Sequence, residues 1–279
     1  MGDGAQDIAT TRRIDRSMGY VIAFVNHKGG VTKTTSVANT GAALAQAGER
    51  VLVVDADPQA NLTEAFAAVD VLGTRLEDVL ADVAAPTGIE VLRDVGGVDG
   101  ALDLLPCSDA LADVAADLPR HTGYELRLRA AVDSLRDDYD FILVDTPPGL
   151  GILSGMALLA ADAVIIPVRP ADFDVGGAAK VYDLIEETVR EVHPEITILG
   201  VLVAQAQHRW ILRRETQQAI ERYGMEALPV EIPFSVRVGS APRYGQPTVV
   251  LEPGGRVAQA YRALATFLIG TTAKRRVAA

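Results

Sequence analysis

The sequence predicts an α/β class: a single domain on a mostly parallel sheet with helices on both faces. Three observations lead there. Short, unbroken apolar runs recur along the chain, as strands buried on both faces require. Segments of helical period separate them, giving the strand–helix alternation of a parallel sheet. The 279 residues, 49% hydrophobic and 23% charged, suffice for a sizeable core, and no repeat, low-complexity segment or Ser/Gly linker divides them.

Residues 20–26 are a β-rich run ending in a glycine-containing loop, and 33–47 then read as a helix stopped by Gly48. Residues 51–54 are an apolar strand closed by Asp55-Ala56-Asp57-Pro58. The strand type repeats at 102–105, 141–144, 163–168 and 196–203. Helices are expected at 109–117, 124–136, 154–160, 177–192, 213–223 and, last, 257–268. Residues 1–18 read as a flexible arm, 19–270 as the domain and 271–279 as a basic tail.

Composition excludes several classes. The uncharged stretch 146–161 holds two prolines and three glycines, too short and broken to span a bilayer. Residues 1–18 have no apolar core of a secretory signal, so a cytoplasmic chain is expected. The single cysteine, Cys107, can form neither an internal disulfide nor a multi-cysteine metal site, and reads as a small buried hydrophobe. Residues 1–204 hold 15 Lys and Arg against 32 Asp and Glu, a balance of −17, while 205–279 hold 11 against 5, a balance of +6. A basic quarter on an acidic body fits either an anionic partner on one face or a solvated surface with a basic tail.

The strongest signal is Asn26-His27-Lys28-Gly29-Gly30-Val31-Thr32-Lys33-Thr34-Thr35, after a predicted strand and before a predicted helix. Successive N–H groups at a helix N-terminus cradle an anion, and glycines let the backbone approach phosphate oxygens. Lys33 then neutralises phosphate charge and the Thr34 hydroxyl ligates Mg²⁺. Asp145 ends an apolar strand at the carboxyl edge of the sheet, where open α/β folds bind ligands, and is placed to hold Mg²⁺ through water.

The loop departs from GxxxxGK[ST] and instead resembles the deviant Walker A motif, KGGxxK[TS], of the ParA/MinD family of dimerising P-loop ATPases. Lys28 takes that motif's signature position. Thr32 stands where the family usually has glycine; if the position needs positive φ, a β-branched residue costs roughly 1–2 kcal/mol there. Residues 51–63 (VLVVDADPQANLT) resemble the family's second strand and switch I, and 141–149 (FILVDTPPG) its Walker B strand and switch II. Residues 231–247 (EIPFSVRVGSAPRYGQP) are similar to the IPxxVRxxEAPxxGxP stretch of ParA partition ATPases, and 200–209 (GVLVAQAQHR) to the strand before their DNA-binding helix.

The resemblance implies ATP and Mg²⁺, with nucleotide contacts from Lys28, Gly29, Gly30, Val31, Thr32, Lys33, Thr34, Thr35, Gln205 and Pro233. It implies Lys28, Lys33 and Asp57 as catalytic groups, Asp57 polarising the attacking water, and Thr34, Asp57 and Asp145 around the metal. Asp55 supports the metal shell or caps its strand. Lys28 of one chain would enter the partner's site, so that a homodimer sandwiches two ATP molecules and parts on hydrolysis. Arg209, Arg213, Arg214, Arg237 and Arg243 would bind non-specific double-stranded DNA on the nucleoid, and a ParB-type protein would stimulate turnover. The other readings are a relative that positions protein cargo, a MinD-like membrane ATPase and a non-enzymatic DNA-binding module. The single cysteine excludes iron-protein relatives, and no GxGxxG follows the first strand.

Overall fold

The computed structural model describes residues 18–68, 73–82, 88–170, 175–206 and 210–278. Its frame is a seven-stranded sheet, β1 (Tyr20–Phe24), β2 (Val51–Asp55), β3 (Leu102–Leu105), β4 (Phe141–Asp145), β5 (Ala163–Val168), β6 (Thr197–Ala206) and β7 (Ile232–Pro233). The order across the sheet is β3-β2-β4-β1-β5-β6-β7, and every named pairing is parallel. The long apolar runs therefore do what their composition demands, burying both faces.

Alternation along β1 shows this directly. Val21 and Ala23 enter one core, while Tyr20, Ile22 and Phe24 enter the other. The second core is closed by α1 (Lys33–Gln46), α2 (Asn61–Ala65), α11 (Thr248–Leu251) and α12 (Arg256–Ala278). The first is closed by α3 (Leu76–Ala81), α4 (Leu111–Asp117), α5 (Arg127–Leu135), α6 (Ile152–Ala160), α7 (Val175–Leu184) and the helix Trp210–Arg222. A three-residue turn of helix, α8 (Arg190–Val192), makes that last helix α9, and α10 (Val236–Ser240) precedes α11.

Most expected elements stand within two residues of their expected ends, and the exceptions have local causes. The helix expected at 124–136 opens as a 3₁₀ turn, Tyr124–Leu126, behind Gly123 at φ 75°, and only then becomes α5. The helix expected at 177–192 is interrupted by a π turn at Ile185–Val189. Helix α9 starts three residues early, at Trp210. Helix α12 continues to Ala278, so residues 271–278 extend a helix where a tail was expected. Strand β7 is two residues long, too short for any periodic signal. Residues 1–17 lie outside the described residues.

The carboxyl edge of the sheet gathers the loops that matter. Helix α1 leaves β1 after an eight-residue loop and ends on Gly48 at φ 93°, whose N–H returns to the Ala45 carbonyl. At the opposite edge, Arg136 ties three strands together. It donates to the Gly19 carbonyl just before β1 at 2.9 Å and to Asp162 just before β5 at 2.7 Å, and it opens the 3₁₀ turn Arg136–Asp138 that leads into β4.

Candidate nucleotide site

The loop between β1 and α1 is braced from both sides. On one side, the Val25 N–H donates to Ile165 O at 3.1 Å and Asn26 Nδ2 to Pro167 O at 2.6 Å, both on β5. On the other, the Gly149 N–H donates to His27 O at 2.7 Å and the Thr146 hydroxyl to Phe24 O at 2.8 Å. Within the loop, the Asn26 carboxamide accepts the Lys28 N–H at 3.0 Å. Strand β5 and the turn that follows β4 thus fix a segment that has no ladder of its own.

Thr32 sits at φ 73°, ψ 22°, the left-handed region, as residue before the first turn of α1. The conformational cost expected of a β-branched residue there, roughly 1–2 kcal/mol, is therefore present in this chain. Its hydroxyl lies 3.5 Å from Ser36 Oγ, itself 3.4 Å from the Tyr261 hydroxyl on α12. These long contacts offset only a fraction of the cost.

Lys33 begins α1 and points inward, where its ammonium donates to the Lys28 carbonyl at 3.3 Å. Burial holds its pKa below the ordinary value, and the charges of Asp145 and Asp57 oppose that shift. Asp145 ends β4 with both carboxylate oxygens buried and none of its neighbours in good hydrogen-bond geometry, the Thr34 hydroxyl being nearby. Burial first, then the neighbouring Asp55, pushes its pKa well above the usual carboxylate range; the Thr34 hydroxyl and Lys33 pull the other way. Two buried oxygens without a protein partner are a donor set that suits a cation.

Asp55 is differently placed. Its two oxygens accept from the Asp57 N–H, the Thr63 N–H and the Thr63 hydroxyl at 3.2, 2.8 and 2.7 Å, so it organises the turn into α2. Burial outweighs those bonds and lifts its pKa to about 6. Of the two readings the sequence allowed, capping its strand is the one these bonds describe. Asp57 is nearly buried, and its carboxylate accepts the Gln59 N–H at 3.0 Å. Cys107 is buried, donates its thiol to the Asp57 carbonyl at 3.1 Å, and has its pKa raised by burial. That is the small buried hydrophobe expected, with a structural role under switch I.

A cleft of about 460 Å³ opens over these groups. Gly29, Gly30 and Thr32 line it from the loop, Lys33, Thr34 and Thr35 from the start of α1, Asp57 from the turn after β2, and Gln205 from β6. Val31 and Asp145 are buried, and neither they nor Pro233 on β7 form part of the wall. Val238, Ala241, Gln246 and Pro247 also line it, as do Gln59 and Asn61. The sequence placed all six within recognised stretches but assigned them no role, because only the fold brings the α10–α11 segment over α1. That approach is fixed by the Val249 N–H, which donates to Asn39 Oδ1 at 3.0 Å.

Among the proposed DNA-contacting residues, Arg214 on α9, Arg237 on α10 and Arg243 are exposed. Arg209 and the Arg213 side chain lie outside the described residues. Among the described residues, no helix is long and apolar enough to cross a membrane.

Comparison with known proteins decides the family. A family model described as an AAA domain matches residues 19–198. The sporulation initiation inhibitor protein Soj of Bacillus subtilis is 33% identical over 89% of this chain and 97% of its own length. The chromosome partitioning protein ParA of Caulobacter vibrioides is 33% identical over 93% and 97%. This chain belongs to the ParA family of partition ATPases. Among solved structures, this ParA-type chain superposes on cobyrinic acid a,c-diamide synthase from Mycobacterium smegmatis with bound ADP and magnesium (TM-score 0.77, 32% identity, 90% and 94% covered). It also superposes on the cell division ATPase MinD of Pyrococcus furiosus (TM-score 0.75, 27% identity, 91% and 100% covered).

The chain is accordingly an ATPase that uses ATP with Mg²⁺, and its residues fit both. Thr34 and the partnerless Asp145 are hard oxygen donors in the right place for Mg²⁺, an ion that keeps several waters and takes substrate phosphates as ligands. Thr34 and Asp145 would hold that ion, whose chemistry there would be neutralising charge on the transferring phosphoryl group. The loop N–H groups and Lys33 would hold the phosphates. Asp57, which lines the same cleft, would be the carboxylate to orient a water.

Proposed function

We propose that this ATPase is a switch in DNA partitioning, as the Caulobacter relative's name describes for that protein. The observation that carries the reading is the opposite fate of two lysines five residues apart. Lys33 is buried in its own site, whereas Lys28 lies on the exposed lip formed by residues 27–30. A cation on the outer side of its own phosphate loop is suited to a second chain's phosphates. ATP then closes a homodimer, Lys28 adds its charge to the partner's site, and hydrolysis removes the group that holds the two together.

Arg209, Arg213, Arg214, Arg237 and Arg243 would form the basic face, doubled by dimerisation. Contacts of this kind bind phosphates rather than bases, so binding is sequence-independent and falls steeply with salt. A ParB-type partner would dock on the dimer and speed turnover, and the protein would work in the cytoplasm on the nucleoid. Fluorescence anisotropy on a random-sequence duplex, with ATP–Mg²⁺, ADP or no nucleotide, tests this together with the mass by light scattering. Binding and dimer mass confined to ATP, both lost in Lys28→Ala, are expected. Equal binding in all three states would refute the switch. Arg237→Ala is expected to weaken every duplex alike and lower the salt slope by about 1.

A further inference from the structure

We propose that Arg169 is a positioning residue for the nucleotide loop, holding the strained Thr32 conformation against relaxation. Arg169 follows β5 directly, and its Nη1 donates to the Gly30 carbonyl at 3.3 Å. It is the third tie from the end of this strand to the loop, after Ile165 with Val25 and Pro167 with Asn26. The first two ties fix the start of the loop; Arg169 alone of the three reaches its middle.

The reach matters because of what lies on either side of the bond. Gly30 at φ 75° and Thr32 at φ 73° both occupy the left-handed region, with Val31 between them. Glycine takes that conformation freely; threonine does not. Strained backbone persists only where the surroundings over-determine it. If Thr32 relaxed to negative φ, the peptides before it would swing, and the Gly30–Val31 peptide is the one Arg169 grips.

Peptide planarity gives the grip a direction. In a trans peptide the C=O and the next N–H point opposite ways. A carbonyl drawn toward Arg169 therefore turns the Val31 N–H away from the guanidinium. Gly30 lines the cleft and Arg169 does not, so the arginine grips the loop from outside. The bond thus presets an N–H of the anion cradle, and does so where Thr32 would otherwise pull the loop out of shape.

A mutant cycle tests this: wild type, Arg169→Ala, Thr32→Gly and the double variant, each titrated with a fluorescent ATP analogue in Mg²⁺ and assayed for turnover at saturating ATP. Arg169→Ala alone is expected to weaken binding about tenfold, equivalent to about 1.4 kcal/mol. In the Thr32→Gly background the same change is expected to cost less than threefold, because glycine needs no restraint at that φ. For Arg169→Ala, turnover at saturation should stay within about twofold of wild type, and thermal unfolding of the ligand-free protein should coincide with wild type. An equal penalty in both backgrounds would mean the guanidinium acts through its charge, and overturns the proposal. No penalty, a fall in turnover with binding intact, or a ligand-free Arg169→Ala chain that unfolds early each overturns it as well.

Discussion

Replacing Asp145 by asparagine separates the demands of folding from those of function at one position. The substitution keeps the shape and removes the charge. In the ligand-free chain the Asp145 side chain is fully buried, and neither oxygen has a hydrogen-bond partner. Burying an ion costs several kcal/mol, of which the neighbouring Lys33 charge returns part. The asparagine amide still loses about 1–3 kcal/mol of solvation at the same spot. The difference leaves the ligand-free variant about 1–2 kcal/mol more stable, or about 2–3 °C in melting temperature for a chain of this size. With ATP–Mg²⁺ at 100 times its dissociation constant, the wild type gains about 2.7 kcal/mol by mass action. The variant should lose the part of that gain that depends on Mg²⁺. Calorimetric melting of both proteins, with and without ATP–Mg²⁺, reads both effects. A ligand-free Asp145→Asn chain that melts several degrees below wild type would refute the reasoning, since the carboxylate would then be a structural acceptor.

The same carboxylates predict a pH dependence. The folded pKa of Asp55, at about 6, and that of Asp145 both lie above the usual range, so their contribution to ligand-free stability is full at low pH and is lost as pH rises through the folded values. Mg²⁺ would need the ionised Asp145, so melting curves with and without ATP–Mg²⁺ should converge as pH is lowered through that group's raised pKa. Arg136→Ala strands Asp162 and the Gly19 carbonyl at the far edge of the sheet. It should cost about 3–5 kcal/mol in urea unfolding while leaving the affinity for ATP unchanged. Gly41→Ala places a methyl 2.9 Å from Val53 Cγ1 and 3.2 Å from Leu102 Cδ1, beneath α1. Overpacking of this kind should lower stability by about 1–3 kcal/mol, checked by the same unfolding experiment.

The strand positions, the glycine stop of α1 and the phosphate loop were legible in the sequence because each depends on local terms. Apolar runs demand two-sided burial, Gly48 admits a left-handed turn, and Lys33-Thr34 follows a strand and begins a helix. Thr32 was legible as a departure, but its cost rested on a dihedral angle. Only the folded loop supplied φ 73°. Asp145 and Asp55 read alike as carboxylates ending strands, yet one accepts three hydrogen bonds and the other none. That distinction belongs to α2, which turns Thr63 back onto Asp55 and leaves Asp145 facing Lys33. Arg169 stands 139 residues from the carbonyl it holds, and Val249 stands 210 from Asn39. Sequence patterns carry periodicity and turn chemistry over a few residues; long-range approach is set by the order in which parallel strands pack. The sequence by itself therefore determined what chemistry this chain carries, and the tertiary structure decided which groups are strained, paired or left waiting for a ligand.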